Sequence, residues 1–343
     1  NEYKEIEDKY FEYDSAVYKN IHSLKEKIFN KDDLKKLSSE IKDLERRITI
    51  FHAKIIKEFK IDDKNTLIGF HGQTIYHNSS EKISLQLGDG KLLNQLVKKK
   101  IICNFRKNDI LNGGEGAPLT PVFHKLITSQ KKIALPVCIL NIGGIANITI
   151  LKNSSKLTDI SSKDIGPGNC LIDSWIRKNS DFKFDKNGKI ASLGKKNEII
   201  FEQGQELYLN RKNKNKNSFD TSDFDISFAR GLSLEDGTAT LTEFTASILG
   251  ERLSIILKKE LDLSNILICG GGRKNTVLIN LIKKNLPKRY KLILIDDYGV
   301  NGDFVESQAF AYLAIRSYKK LPITFPNTTN CNKPLTGGEL LEN

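Results

Sequence analysis

A carboxylate stands beside a rigid turn in the segment SKDIGPGNCLIDSW, residues 162–175. Residues 166–168 are Gly-Pro-Gly and predict a bend, and Asn169 after them is a good N-cap for a helix. The first turn of that helix would present N–H groups and a positive dipole end to an anion. Asp164 could act as a general base on a nucleophile that approaches phosphate. It could equally do no more than hydrogen-bond its own turn.

Two further glycine clusters each follow an apolar segment. Gly143 and Gly144 separate two β-rich segments in LNIGGIANITI and predict a hairpin turn. The segment LICGGGRKN has three glycines between a predicted strand and a predicted helix. Glycine lets backbone N–H groups approach phosphate oxygens without a clash from Cβ, but a tight structural turn accounts for either cluster as well. The second cluster lacks the spacing of a dinucleotide site and of a Walker P-loop.

Polar side chains occur at a predicted strand end and in a glycine-rich loop. GFHGQTIYH places His71 and Gln73 at the end of a strand, where α/β proteins bind ligands. NFRKNDILNGGEGAPL combines Arg106 and Asp109 with several glycines, and an arginine in such a loop suits a carboxylate ligand. Glu306 lies in the first turn of a predicted helix, where the helix dipole alone would account for it. A structural histidine and a surface ion pair remain the alternatives for this group.

No group of side chains has the spacing of a metal site or of a hydrolase nucleophile. The five cysteines are scattered without a C-x-x-C pair, and no G-x-S-x-G elbow is present. We therefore expect no metal ligand among the side chains. The sequence has no run of about 18 apolar residues and no signal-peptide pattern at its start. We expect a cytoplasmic protein without a membrane partner.

The net charge of +12 makes nucleic-acid binding a candidate function. The lysines are spread along the whole chain and mixed with acidic residues, which is typical of a solvated surface. The densest basic run, residues 210–218, has no interleaved aromatic residues and predicts a mobile loop. We therefore expect no nucleic-acid partner.

Helix-like and strand-like patterns alternate along the chain, which predicts an α/β fold. Apolar residues at helical spacing over 34–59 predict a long helix, and TLIGFHG and KKIICNF predict strands after it. The predicted glycine hairpin then opens a second α/β unit. We divide the chain into an N-terminal domain, 1–136, a C-terminal domain, 137–320, and a tail, 321–343, that packs back on the N-terminal domain.

Eight motifs, in order, make the chain resemble the anhydro-N-acetylmuramic acid kinase family. They run from about residue 66 to 320 and are FHGQT, LGD, NFRKNDI, GGEGAPL, LNIGGIANIT, DIGPGN, ICGGGRKN and GVNGDFVESQAFAYLA. The resemblance implies the sugar kinase, Hsp70 and actin superfamily, with two ribonuclease-H-like domains around a central cleft. It also implies an ATP-dependent reaction with Mg²⁺ bridging the phosphates. In that reaction water opens the ring of 1,6-anhydro-N-acetylmuramic acid while O6 takes the γ-phosphoryl group.

The resemblance also implies roles for particular residues. Asp164 matches the catalytic aspartate, which would take a proton from the attacking water. Arg106 is a candidate partner for the lactyl carboxylate of the sugar. The implied cofactor-binding positions are Gly143, Gly144, Gly166, Gly168, Gly270, Gly271 and Gly272. The positions expected to line the sugar pocket are His71, Gln73, Arg106, Asp109, Asn147 and Glu306.

The chain departs from the family pattern at two places. The family begins with a strand and a Gly-Thr-Ser-x-Asp-Gly phosphate loop, which residues 1–65 do not contain. The sequence also has no methionine, so we expect that its natural N-terminus is missing. Asn104 stands where the family pattern has aspartate, which removes a negative charge near the expected pocket.

The resemblance suggests a homodimer that acts in peptidoglycan recycling. Two other functions remain open on the sequence alone. One is a catalytically silent protein of the same fold that binds muramyl sugars. The other is a basic nucleic-acid-binding protein on an actin-like scaffold, which would bind with an affinity that falls steeply with salt.

Overall fold

The computed structural model of the protein describes residues 3–59, 66–210 and 219–342. The mobile loop predicted at residues 210–218 lies outside the described residues from position 211 onward. The chain divides into two compact units. Unit 1 contains the described residues up to Leu126 and from Glu306, and unit 2 is Ile127–Val305.

Helices and strands alternate in both units, which confirms the predicted α/β class. The helices are α1 (Ser15–Lys27), α2 (Lys31–Lys36), α3 (Ser38–Glu58), α4 (Gly90–Val97), α5 (Lys107–Leu111), α6 (Pro121–Gln130), α7 (Cys170–Asn179), α8 (Glu198–Asn210), α9 (Leu234–Leu257), α10 (Thr276–Lys284), α11 (Val305–Tyr318) and α12 (Pro326–Thr329). The strands are β1 (Leu67–Gly69), β2 (Gln73–Asn78), β3 (Ile83–Leu87), β4 (Lys100–Cys103), β5 (Val137–Ile142), β6 (Ile145–Leu151), β7 (Ser161–Pro167), β8 (Asn265–Cys269), β9 (Lys291–Leu294) and β10 (Glu339–Leu341).

Unit 2 is built on a five-stranded sheet of order β7-β6-β5-β8-β9. Strands β5, β6 and β7 form an antiparallel meander, and β8 and β9 add to the other side of β5 in parallel. This order and these directions are those of a ribonuclease-H-like domain, as the resemblance implied. The predicted hairpin is confirmed, with Ile142 paired to Ala146 across the Gly143 and Gly144 turn.

The core of unit 2 lies on one face of this sheet. Every second residue of β5 and β6 points to that face, because side chains alternate along a strand. Leu140, Ile148 and Ile268 are buried there and pack in one cluster with Leu249 of α9 and Leu278 of α10. The second face of the same strands is therefore left for other residues, among them the polar residues of the site.

Unit 1 contains a three-stranded sheet and a separate hairpin. Strand β4 pairs in parallel with β1 and antiparallel with β10, and β2 pairs with β3. The predicted long helix is present as α3, and its apolar stripe buries Ile41, Leu44 and Ile48 against α1 and the β2–β3 hairpin. None of the helices in the described part of the chain combines the length and apolarity that a bilayer crossing requires.

The division of the chain differs from the predicted one at α11. Our boundary at residue 320 assigned this helix to the C-terminal domain, because it follows the strands of that domain in sequence. In the structure, α11 belongs to unit 1 from Glu306 onward. A Cβ on Gly69 of β1 would lie 2.5 Å from the carbonyl oxygen of Phe310, so strand and helix are in close backbone contact. The tail reaches the same unit, since β10 pairs with β4.

Candidate active site

Three glycine loops meet at one edge of the unit 2 sheet, where β5, β7 and β8 end. The amide of Gly168 donates to the carbonyl of Gly144 at 2.9 Å, and the amide of Asn169 donates to the carbonyl of Gly143 at 2.8 Å. A Cβ on Gly272 would lie 3.0 Å from Oδ1 of Asn169, so the loop after β8 packs on the same helix start. Ligand sites of α/β proteins lie at this edge of the sheet.

The seven glycines predicted to bind a cofactor fall into two groups. In the first group an added Cβ would lie 2.8 Å or less from a neighbouring atom, and its members are Gly166, Gly168, Gly270 and Gly272. In the second group an added Cβ would meet nothing closer than 3.5 Å, and its members are Gly143, Gly144 and Gly271. Neither packing nor a left-handed backbone explains glycine at these three positions. They leave room for a ligand to approach the backbone.

Asp164 lies inside a strand, and the bend after it begins two residues later than predicted, at Gly168 and Asn169. We predicted a rigid bend at residues 166–168, but β7 continues through Pro167, which pairs with Ile145 of β6. Proline is tolerated there because β7 is an edge strand of the sheet. The helix after it begins as predicted with Asn169 at the N-cap position, although the asparagine side chain makes no capping hydrogen bond.

A β-bulge accompanies the pairing of Asp164 with Asn147. The register between β6 and β7 shifts by one residue at Ile165, and Asn147 is the cross-strand partner of Asp164. Two residues further along, Thr149 and Ser162 are partners, and their hydroxyl oxygens lie 3.4 Å apart on one face of the sheet. Because side chains alternate along a strand, Asn147 and Asp164 share that face. Bulges of this kind are common beside active sites.

Asp164 is a buried partner of Asn147, which is half-buried. Asp164 is 5% exposed, and its Oδ2 accepts a hydrogen bond of 2.7 Å from the amide of Phe219. Oδ1 of Asn147 is buried and has no hydrogen-bond partner among the described residues. A buried acceptor left without a partner costs about 1–3 kcal/mol, so it indicates a ligand or a water molecule at this place.

The sequence analysis missed Asn141, which extends this pair across β5. Asn141 pairs with Asn147 in the hairpin, and its Oδ1 lies 3.7 Å from Sγ of Cys269 on β8. The same oxygen would lie 2.4 Å from a Cβ on Gly270, which is one reason that position is glycine. The signal was present, because Asn141 and Asn147 each lie three residues from Gly144 in the predicted hairpin.

An ion-pair network holds the loop after β8, and the sequence patterns did not predict it. Arg273 donates from Nε and Nη2 to both carboxylate oxygens of Asp296, at 2.7 and 2.9 Å, and from Nη1 to Asp303 at 2.6 Å. Its Nη1 also donates to the carbonyl of Gly270 at 3.2 Å. These hydrogen bonds from Arg273 hold the pKa of Asp296 below its ordinary value. The network fixes the glycine loop to the segment that precedes α11.

In unit 1, a chain of hydrogen bonds orients Arg106. Its Nε donates to Nε2 of His71 at 3.1 Å, and its Nη1 donates to the carbonyl of Gly116 at 2.8 Å. Nδ1 of His71 donates in turn to the carbonyl of Gly72 at 2.9 Å, which fixes the neutral tautomer. Burial, with the nearby charge of Arg106, lowers the pKa of His71 to about 3. The structure thus brings these two predicted residues together, with the histidine holding the arginine.

Asp109, predicted to line the sugar pocket, hydrogen-bonds inside unit 1. Its Oδ2 accepts a hydrogen bond of 2.7 Å from the amide of Gly116, and its Oδ1 accepts one of 2.7 Å from the hydroxyl of Thr329. A Cβ on Gly114 would lie 2.1 Å from Oδ2, so the glycine loop wraps closely around the carboxylate. Asp109 therefore shapes the loop whose Gly116 carbonyl holds Arg106.

Gln73 and Glu306 make few contacts. Gln73 is half-buried at the start of β2, and its Nε2 donates only a long bond of 3.5 Å to the carbonyl of Thr74. Glu306 is exposed in the first turn of α11. Neither side chain joins the hydrogen-bond chain of Arg106.

The site suits a phosphate-bearing ligand better than a metal held by side chains. In residues 3–59, 66–210 and 219–342, no group of three or more His, Cys, Asp or Glu side chains could hold a metal ion. The open positions Gly143, Gly144 and Gly271 fit a nucleotide, because phosphate groups are bound by backbone N–H groups of glycine-rich loops.

A ribonuclease-H-like sheet with open glycine loops and a buried carboxylate at one edge is typical of a phosphotransferase. The family model described as anhydro-N-acetylmuramic acid kinase matches residues 3–342. The chain belongs to the anhydro-N-acetylmuramic acid kinase family, and it is a kinase with an alcohol group as acceptor.

Curated relatives support this assignment along nearly the whole chain. The anhydro-N-acetylmuramic acid kinase of Pelagibacter ubique is 53% identical over 99% of this chain and 92% of its own length. The anhydro-N-acetylmuramic acid kinase of Zymomonas mobilis is 37% identical over 86% of this chain and 80% of its own length. A solved structure of the activator of the 2-hydroxyisocaproyl-CoA dehydratase from Clostridium difficile with bound ADPNP matches at 17% identity and a TM-score of 0.33, covering 55% of this chain and 65% of that chain. A similarity at that level carries no conclusion.

Proposed function

We propose that this protein is an ATP-dependent kinase that opens 1,6-anhydro-N-acetylmuramic acid with water and phosphorylates O6. The product would be N-acetylmuramic acid 6-phosphate, in the recycling of peptidoglycan. The observation that carries the proposal is the buried carboxylate of Asp164, opposite Asn147 and beside the glycine loops. The names of the relatives supply the substrate.

Asp164 is the proposed general base. The amide of Phe219 fixes one of its oxygens, so the carboxylate has a defined direction. The carboxylate takes a proton from water as the water oxygen bonds to C1 of the sugar. The C1–O6 bond breaks, its electron pair stays on O6, and O6 attacks the γ-phosphorus of the co-substrate ATP. The bond from the γ-phosphorus to the bridging oxygen breaks, and ADP leaves with that electron pair.

The glycine loops of unit 2 are the proposed ATP-binding elements. Gly143 and Gly144 would face the phosphates, and Gly271 would border the adenosine, because an added Cβ meets nothing closer than 3.5 Å at any of the three. Arg273 keeps the second loop in place through Asp296. When bound, Mg²⁺ would neutralise negative charge on the transferred phosphoryl group.

Arg106 is the proposed sugar-binding cation in unit 1, since a guanidinium suits the lactyl carboxylate. His71 and Asp109 act on it indirectly, through the hydrogen bond from Nε to the imidazole and through the Gly116 loop. Gln73 and Glu306 remain proposed pocket residues by family resemblance. We also propose a cytoplasmic homodimer without a nucleic-acid partner.

Product analysis tests the proposal. The full chain is incubated with Mg·ATP and 1,6-anhydro-N-acetylmuramic acid, and a sugar 6-phosphate is sought by mass spectrometry. Asp164→Asn is the matched control and is expected to fold normally and to lose turnover, because it removes the proton acceptor at nearly constant volume. Sugar binding without phosphorylated product from the unsubstituted chain would support a silent binding protein. Retention of most activity by Asp164→Asn would refute the role of the carboxylate.

A further inference from the structure

We infer that Asn147 positions the water molecule that opens the anhydro ring, by accepting a hydrogen bond at its Oδ1. This inference rests on the proposed function and deepens it. The family resemblance had led us to expect Asn147 as a residue that lines the sugar pocket. The geometry points instead to a positioning residue that acts on the nucleophile together with Asp164.

The first observation is an acceptor that the described part of the protein leaves without a donor. Oδ1 of Asn147 is buried and unpartnered there, while the neighbouring Asn141 has its Oδ1 3.7 Å from the thiol of Cys269. Burying an acceptor without a donor is unfavourable, so a native structure usually supplies the donor from a ligand or an ordered water molecule.

The second observation is the position of that acceptor in the sheet. Asn147 and Asp164 are cross-strand partners on one face of the sheet, and such partners have Cβ atoms about 5 Å apart. One water molecule can donate to two acceptors at this separation, because each O–H···O bond spans about 2.8 Å. The water would then bridge the amide oxygen and the carboxylate.

A water molecule that is held by both of its hydrogens has a defined direction towards C1. One O–H bond breaks and its proton passes to Asp164, while the other hydrogen stays on the oxygen that bonds to C1. If Asn147 accepts that second hydrogen, a lone pair of the water is directed away from the two side chains. The C1–O6 bond breaks, O6 takes the γ-phosphoryl group of ATP, and ADP leaves with the electron pair of the broken P–O bond, so atoms and charge balance.

A competing nucleophile separates this role from sugar binding. Methanol has one O–H, which can still be given to Asp164, but its methyl group stands where the second hydrogen of water would be. In the unsubstituted chain the methyl group would face Oδ1 of Asn147 and leave it without a donor. In Asn147→Ala the acceptor is gone and the space is open to a methyl group.

The experiment measures the ratio of methyl glycoside 6-phosphate to free sugar 6-phosphate in mixtures of methanol and water. For Asn147→Ala we expect this ratio to rise about fivefold or more and kcat to fall roughly tenfold to a hundredfold, with KM for the sugar changed less than about twofold. Asn265→Ala, the same change at the opposite end of the unit 2 sheet, should match the unsubstituted chain in all three quantities.

A conservative variant keeps the test decisive if Asn147→Ala does not fold. Asn147→Asp retains an acceptor oxygen, so the product ratio should stay at the original value. Its added negative charge opposite Asp164 should move the acidic limb of the pH profile to higher pH.

Three results would overturn the inference. The first is a rise in KM for the sugar with kcat unchanged, which would make Asn147 a sugar ligand. The second is an unchanged product ratio in Asn147→Ala, or an increased one in Asn147→Asp. The third is an unsubstituted chain that makes no phosphorylated product, which would overturn the proposed function and this inference with it.

Discussion

Nε of Arg106 donates a hydrogen bond of 3.1 Å to Nε2 of His71, and this bond sets the direction of the guanidinium. His71→Leu removes the acceptor, so a partly buried N–H group of Arg106 loses this hydrogen bond. We expect KM for the sugar to rise roughly tenfold with a smaller change in kcat, and stability to fall by about 1–3 kcal/mol.

His71→Gln is the conservative partner of this variant, because an amide oxygen can accept the same hydrogen bond. It should restore most of the affinity that His71→Leu loses. His22→Leu, on helix α1, serves as the control for a histidine outside the proposed site. Equal KM values for His71→Leu and the unsubstituted chain would show that Arg106 needs no such support.

Gly271 and Gly272 are neighbours, but the space beside Gly271 is open and the space beside Gly272 is filled. The two positions therefore give a paired prediction. A Cβ on Gly271 meets nothing within 4 Å, whereas one on Gly272 would lie 2.2 Å from Cγ2 of Ile142. Gly271→Ala should keep its melting temperature and raise KM for ATP several-fold. Gly272→Ala should lose about 1–3 kcal/mol of stability because the core of the loop is overpacked. Thermal melts and ATP titrations measure both, and an unaltered KM in Gly271→Ala would remove Gly271 from the ATP site.

Asp296→Asn tests the support of the same loop. The Arg273 side chain is 5% exposed and that of Asp296 is 37% exposed, so the pair is partly solvated. We expect a stability loss of about 1–2 kcal/mol, less than for a fully buried pair, and a higher KM for ATP. Asp297→Asn, at the exposed neighbouring position, should change neither quantity. If the two variants behave alike in thermal melts and ATP titrations, the ion pair has no role in holding the loop.

The stabilities of the two units should change in opposite directions as the pH falls. In unit 1, burial lowers the pKa of His52 to about 4. Burial also lowers the pKa values of His71 and His124 to about 3, and the charge of Arg106 adds to the effect at His71. The ordinary pKa of histidine is 6.5, so below this pH the unfolded chain binds more protons at these groups than the folded chain does. Unit 1 therefore loses stability as the pH falls from about 6.5 towards 3.

In unit 2, the pKa of Asp173 is shifted in the opposite direction. Burial raises the pKa of Asp173 to about 7, from an ordinary value of 3.8. Its contribution to stability is present below pH 3.8 and is lost as the pH rises towards 7. Amide hydrogen exchange at pH 5 and pH 7.5 should therefore show faster opening of unit 1 at the lower pH, with no matching loss in unit 2. Opening of unit 2 first on acidification would contradict these assignments.

Features that depend on local pattern could be predicted from the sequence. The hairpin around Gly143 and Gly144 follows from two β-rich segments with a glycine turn between them, and a strand and a helix were predicted on either side of the three glycines in LICGGGRKN. The resemblance implied roles for Asp164 and Arg106 that stay predictions, and the structure adds a fixed direction for each side chain. The predicted start of α7 at Asn169 is present, although its side chain makes no capping bond.

Features that depend on distant partners could not be predicted. Asp109 has the appearance of a ligand residue, but the hydroxyl that binds it belongs to Thr329, 220 positions away. The bend predicted at residues 166–168 falls at residues 168 and 169, because Gly166 and Pro167 pair with β6. The assignment of α11 to unit 1 depends on its contact with Gly69, which no local pattern reveals.

The most direct test of the central claim follows the oxygen that opens the ring. The full chain is incubated with Mg·ATP and 1,6-anhydro-N-acetylmuramic acid in ¹⁸O-labelled water, and the early product is analysed by mass spectrometry before exchange at C1. We expect a 6-phosphate that carries the label at C1 and none in the phosphoryl group. An unlabelled C1, or hydrolysis of ATP without any sugar phosphate, would contradict it.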